Sequence, residues 1–326
     1  MTEAGGSIGY GHLMRCVAIA QNITCECQIV VHSDLGFSHS NVQQLAWRDD
    51  LSALEEYLGD TEVNAILIDS YLTSVTMLRA LRGMASFICV LDDYNRITYP
   101  VDVVINPSLI GPKYDSQQAC VLAGKDFVIL RREILQHKKK LTHSDLKHIV
   151  LTFGGSDKIQ LFLGIIPVLL ESNFIVSAVA GSDARAIELT SRFLMDGLHV
   201  HGRLDTKDLA DLFVSTDLVI SAGGQTLNEL AYLGAPFLAI EAGKDQFWNI
   251  EAYVSNYVTP EHFEATDPHL MKKIVPAIEL LRGASTRHKM SQKGMGLIDG
   301  CGARKIAALL QYQQLDGYEF LGKHAI

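Results

Sequence analysis

At 326 residues, 48% hydrophobic and 20% charged, the chain has the composition of a globular protein with room for two domains of ordinary size. A formal net charge of −9 excludes the basic face that nucleic-acid binding needs, yet leaves room for an anionic small ligand, which glycine loops and helix N-termini hold without net charge. No apolar run approaches the ~18 residues of a membrane span and no basic-then-apolar leader opens the chain. The expectation is therefore a cytoplasmic protein without a membrane or nucleic-acid partner and with no obligate protein partner evident. Six scattered cysteines (Cys16, Cys25, Cys27, Cys89, Cys120, Cys301) form no CxxC pair. Cys25-x-Cys27 lacks a second ligand pair at zinc-site spacing, so no metal and no cofactor are expected, only reduced thiols.

In chain order, four glycines within Gly5–Gly11 come first, followed by His12-Leu13-Met14-Arg15-Cys16 and Val17-Ala18-Ile19-Ala20. Such a loop turns tightly and lets a backbone approach a ligand. Leu13, Val17 and Ala20 recur at helical spacing, which sets His12 at the positive end of a helix, within reach of anything bound there. Apolar runs at 27–32, 65–70, 87–93 and 101–106 then alternate with helical patterns, the signature of βαβ units and a parallel sheet. Ligands bind beyond the carboxyl ends of such strands. Asp69-Ser70-Tyr71, Asp92-Asp93-Tyr94 and Asn106-Pro107-Ser108 fall there, as site residues or as turn and capping chemistry. Only Met1 to Ala4 precede the glycine loop. That is short for a central strand, so the first strand is expected to be truncated, with the true start upstream.

The polar, basic segment Gln136–Asp145 reads as the junction between a domain at 1–140 and one at 146–326. A second α/β series follows it. Strands at 148–153, 174–180, 218–221 and 237–240 run into Gly154-Gly155-Ser156-Asp157, Gly181-Ser182, Ala222-Gly223-Gly224-Gln225-Thr226 and Glu241–Gln246. Glu229, three residues past Thr226, faces the same way on a helix. It is placed either to accept hydrogen bonds from a ribose diol or simply to sit in the dipole of the helix N-terminus. His199 and His201 flank Val200 on a further strand and read as surface or loop residues. The last helix, with Ala303, Ile306, Ala307, Leu309 and Leu310, reads as core-facing.

Two α/β domains in series with glycine loops in each half resemble a GT-B nucleotide-sugar enzyme. The fold expected is α/β, two Rossmann-like domains with parallel sheets facing across a cleft, in which such a last helix crosses back to the first domain. Residues 148–249 resemble the peptidoglycan N-acetylglucosaminyltransferase and its relatives through Gly154-Gly155-Ser156, Ser221–Glu229 and Asp245-Gln246. A likeness across nearly the whole chain is to the UDP-2,4-diacetamido-2,4,6-trideoxy-β-L-altropyranose hydrolase family of the pseudaminic acid pathway. It is carried in order by Gly9–Cys16, Asp69-Ser70-Tyr71, Leu91-Asp92-Asp93, Ile105-Asn106-Pro107, Leu151–Asp157 and Asp245–Asn249.

That resemblance implies metal-independent attack of water at the anomeric carbon with inversion, releasing UDP and the free sugar. His12 falls on the family's catalytic histidine. Tyr71 and Asn249 fall on polar active-site positions, Glu229 on the ribose position, and Ser156, Gly223, Gly224 and Thr226 on the diphosphate. Val200 to Leu204 would supply backbone contacts to uracil. Gly11, Arg15, Gly154, Gly155 and Gln246 lie within the same motifs and complete the expected substrate-binding set. The chemistry agrees. A neutral imidazole suits a base that takes a proton from water, a helix N-terminus is expected to keep it neutral, and UDP leaves with help from amide donors. The same base could activate an acceptor hydroxyl, so a GT-B glycosyltransferase is the alternative. An inactive nucleotide-sugar-binding protein is the third reading if the chain is truly truncated.

Overall fold

A computed structural model describes residues 1–5, 8–34, 41–111, 113–114, 120–137, 145–154, 158–193 and 195–313. Gly155 and Ser156 lie outside these, as does most of the basic segment at the expected junction. The chain forms two compact units, one made of Met1–Arg131 and the chain from Gly300, the other of Arg132–Asp299.

The strands of the first unit are β1 (Thr2–Ala4), β2 (Ile29–Ser33), β3 (Val42–Gln44), β4 (Val63–Ile68), β5 (Ala85–Leu91), β6 (Val103–Asn106) and β7 (Val121–Ala123). They pair in parallel in the orders β3-β2-β1 and β4-β5-β6-β7. A parallel bridge between Thr2 and Asp69 joins the two ladders beside β1 and β4. The near-continuous apolar sequence of β5 follows from burial on both faces. Phe87, Cys89 and Leu91 pack on the side that holds Ile19 and Ile306, whereas Ile88 and Val90 pack with Trp47, Leu54 and Leu78. Three of the four residues before the glycine loop, Thr2–Ala4, form a fully buried strand between β2 and β4. Its short length is offset by anchors at its start: Asp69 N–H donates to Met1 O at 2.9 Å and Trp47 Nε1 to Thr2 O at 3.0 Å.

The second unit holds β8 (His148–Thr152), β9 (Ile175–Val179), β10 (Leu198–His201), β11 (Leu218–Ala222), β12 (Phe237–Glu241) and β13 (His262–Glu264). They form one parallel sheet in the order β10-β9-β8-β11-β12-β13. In both units the first strand therefore lies between the second and the fourth, the Rossmann arrangement, and the order reverses beside it. In sheets of this kind the crevice for a ligand lies there, beyond the strand ends. In the first unit it lies past β1 and β4, in the second past β8 and β11.

Three elements are not signalled by sequence pattern. β3, β7 and β13 are three-residue edge strands, too short for periodicity to register, and β3 (Val-Gln-Gln) is largely polar. The two units meet at Arg132 and again at Gly300, and Ala303, Ile306, Ala307 and Leu310 of the Gly302–Tyr312 helix pack into the first unit's core with Cys120, Phe127 and Ile129.

Candidate active site

The first unit's crevice is built around the Gly11–Ala20 helix, which opens directly after the glycine loop. Gly5 and Gly9 exchange backbone hydrogen bonds at 2.8 and 3.2 Å, and Gly9 turns at φ +82°, a conformation that glycine adopts without strain. That turn aims the helix so that His12, on its first turn, meets Asp69 at the end of β4. His12 Nδ1 lies 2.6 Å from Asp69 Oδ1. Among the described residues no protein partner takes Nε2. Arg15, one turn along the same helix face, also converges on this carboxylate. Its Nε donates to Asp69 Oδ2 at 3.0 Å and its Nη2 to Oδ1 at 2.7 Å. Its Nη1 grips both oxygens of Asp93 at 2.8 and 2.9 Å. Tyr71 stands edge-on to the His12 ring, centroids 4.4 Å apart, and donates its hydroxyl to Asp93 at 2.5 Å.

Burial alone would push the His12 imidazole down; the charge and hydrogen bond of Asp69 outweigh it, and the net effect is upward. The helix N-terminus is expected to favour the neutral ring, whereas the carboxylate in direct contact works in the opposite direction. Burial also works to raise Asp69, but Arg15 and then His12 overcome it and hold this carboxyl at about 2. Burial likewise opposes the Arg15 charge, and its two carboxylate partners lift it well above the ordinary arginine value. With Asp69 ionised, the contact at Nδ1 suits the Nδ1–H form of His12, and in the neutral ring that form carries its basic lone pair on Nε2.

In the second unit the glycine turns follow β8 and β11. Gly154 turns at φ +77°. Gly223 is needed for close packing: a β-carbon there would lie 2.5 Å from Ile250 Cδ1 and Cγ1. Gln246 Oε1 accepts from Gly223 N–H at 3.0 Å and Ala242 N–H at 2.9 Å, tying the β11 and β12 ends together. Asn249 Nδ2 donates to the carbonyls of Gly223 and Gly224 at 2.8 and 2.9 Å, with its Oδ1 unpartnered among the described residues. Thr226 opens the Thr226–Leu233 helix, and Glu229 lies buried in its first turn. In its first turn Leu227 and Asn228 N–H donate to the carbonyls of Gly224 and Gln225 at 3.1 Å each, and the positive end of the helix suits an anion.

The structure brings His12, Arg15 and Tyr71 together in the first unit, beside Gly11 at the helix start. It brings Gly223, Gly224, Thr226, Gln246 and Asn249 together in the second, with Glu229 on the helix they open. Arg15 spends its guanidinium on Asp69 and Asp93, while Gln246 Oε1 and Asn249 Nδ2 are taken by the backbone at the β11 and β12 ends. Asp69 and Asp93 are the residues that sequence reasoning left undecided between site and turn. Asp92, next in the chain to Asp93, turns the other way, to accept from Tyr99 and Tyr114 at 2.9 and 3.0 Å. Both aspartates lie just past the end of β5, and nothing in the doublet itself says which one turns toward Arg15. Among the described residues no group of three or more His, Cys, Asp or Glu is arranged to hold a metal, and no helix is long and apolar enough to cross a membrane.

Two Rossmann-like units with parallel sheets, each with its glycine turn and helix start at the strand-order reversal, make this a protein of GT-B fold. Solved structures agree. MurG of Acinetobacter baumannii matches with TM-score 0.61 and 14% identity over 95% of this chain and 98% of that one. The S. aureus MnaA–UDP co-structure matches with TM-score 0.63 and 13% identity over 96% of each chain. In sequence, the chain is 22% identical over 342 aligned residues to the spore coat polysaccharide biosynthesis protein SpsG of Bacillus subtilis, covering 96% of this chain and 97% of SpsG. It is 20% identical over 269 residues to the uncharacterized protein MJ1062 of Methanocaldococcus jannaschii, covering 74% of this chain and about half (54%) of that longer protein. No protein-family model matches.

Proposed function

We propose that the protein is a UDP-sugar hydrolase that cleaves UDP-2,4-diacetamido-2,4,6-trideoxy-β-L-altropyranose to UDP and 2,4-diacetamido-2,4,6-trideoxy-L-altrose, a step of pseudaminic acid biosynthesis. The observation that carries the reading is the buried His12–Asp69 pair at 2.6 Å, with Nε2 of His12 left to act. Asp69 fixes the tautomer. Nε2 then takes a proton from water as its oxygen bonds to the anomeric carbon. The bond from that carbon to the β-phosphate oxygen breaks on the opposite face, and its electron pair leaves with UDP. Configuration inverts, and Asp69 steadies the imidazolium that forms.

In this reading the second unit carries the nucleotide. The Gly154-Gly155-Ser156 sequence and the backbone of Gly224 and Thr226 hold the diphosphate, and buried Glu229 accepts from the ribose diol. The MnaA structure, described as a complex with UDP, and the match to a polysaccharide biosynthesis protein support a sugar-nucleotide ligand. The likeness to MurG supports the second reading, a GT-B glycosyltransferase in which the same base activates an acceptor hydroxyl. Mixing the protein with the diacetamido-altrose UDP-sugar, with no acceptor and with UDP-N-acetylglucosamine as control, separates the two. Rapid UDP release from the first substrate alone is expected. UDP binding without release would overturn hydrolysis and favour the transferase.

A further inference from the structure

We propose that Arg15 is a positioning residue whose guanidinium, shared between Asp69 and Asp93, sets the pH range over which His12 accepts a proton. The inference rests on the reading of His12 as the base and extends it to groups that do not touch substrate. Arg15 is buried and donates to Asp69 through Nε and Nη2 and to Asp93 through Nη1. All its polar nitrogens are thereby engaged by the protein, with Nη2 also 3.1 Å from His12 Nδ1, since both groups converge on Asp69 Oδ1.

Counting charges shows what this arrangement does. With His12 neutral, the cluster holds one cation and two carboxylates. With His12 protonated, it is neutral. Asp69 and Asp93 both favour the imidazolium, and Arg15 alone among the cluster's groups opposes it. The polar groups around them make contacts of their own. Tyr71 presents a ring edge to His12 and spends its hydroxyl on Asp93. Cys16, on the same helix, is held as a thiol by burial and by Asp69, at about 12. Glu3 on β1 accepts from the Tyr71 N–H and pairs with Arg48. The guanidinium therefore serves as a counterweight: two carboxylates orient the site, and one cation keeps them from holding His12 permanently protonated.

The test uses opposite shifts. In the full-length protein, Arg15→Gln should move the acid limb of kcat/KM upward by about one pH unit or more, and Asp93→Asn should move it downward. The double variant Arg15→Gln/Asp93→Asn should return close to the native limb. The His12 imidazole titration, followed by NMR without substrate, should move in parallel. A purely structural role would lower activity at every pH and leave both limb and titration in place; that result, or shifts of the same sign in the two variants, would overturn the proposal. Should Arg15→Gln fail to fold, Asp93→Asn decides alone: a downward titration shift supports the proposal and an unmoved one refutes it. Because this titration needs no substrate, absence of UDP release from the native protein would overturn the hydrolase reading alone.

Discussion

Asp69→Asn removes one charge and keeps the shape, so its effect isolates the electrostatic role of this carboxylate. Asp69 is completely buried and touches Arg15 at 2.7 and 3.0 Å and His12 at 2.6 Å. Taking one partner from a buried ion pair costs about 3–5 kcal/mol, because the other charge stays buried. The depressed pKa gives a second route to the size. A fall from 3.8 to about 2 is nearly two units, and at about 1.36 kcal/mol per unit it corresponds to about 2.5 kcal/mol. A carboxylate lowered on folding contributes stability that is fully present above its unfolded value and disappears as pH falls through the folded one. The window is therefore from about pH 4 down to about 2. In a Trp248→Phe background, buried Trp47 reports on the first unit alone, and urea midpoints can be followed through its fluorescence. Asp69→Asn should lose about 3 kcal/mol at pH 7 and show a flatter acid limb than the parent, with turnover down ~10²–10⁴-fold. A native midpoint at pH 7 together with an unchanged acid limb would refute the electrostatic account of the dyad.

Further outcomes follow from the same geometry. His12→Asn should cut turnover by ~10²–10⁴-fold while UDP still binds by calorimetry; near-native turnover would remove His12 as the base. Glu229→Gln should chiefly weaken UDP binding, and an unchanged affinity would count against its contact with ribose. Gly223→Ala forces a methyl to within 2.5 Å of Ile250 and 3.0 Å of Gln246 Cβ. Such overpacking should cost about 1–3 kcal/mol and loosen UDP binding, whereas Gly224→Ala, whose added methyl meets nothing within 4 Å, should leave the thermal midpoint close to native. Equal midpoints for the two alanine variants would show that the loop yields without cost.

Much of this protein is legible in its linear pattern. Apolar strands closed by polar residues at helix-length intervals define parallel α/β sheets, because a strand covered on both faces must be apolar along its whole length. Glycine clusters mark where backbone must turn or approach closely, and the structure shows them after β1, β8 and β11, beside the reversal of strand order. His12 is identifiable for the same local reason: it begins the first helix after a glycine loop. What pattern cannot carry is pairing between distant segments. β3, β7 and β13 exist because neighbouring strands offer them an edge. The last helix joins the first unit because its apolar face finds Phe127 and Ile129 there.

The candidate site divides in the same way. Sequence by itself determined the chemistry available: an imidazole at a helix start, carboxylates at strand ends, and glycine turns followed by helix amides. Only the tertiary structure decided how those groups are coupled. It set Asp69 rather than Asp92 against His12 and Arg15, and it brought Asp93 in through the same guanidinium. The physical reason is that strand ends far apart in sequence become neighbours only when the sheet forms. Parallel pairing beside β1 places the end of β4 at the start of the first helix, 57 residues away in the chain from His12 to Asp69. There, in a buried setting, the charge and the 2.6 Å contact of Asp69 outweigh desolvation and occupy Nδ1 of His12.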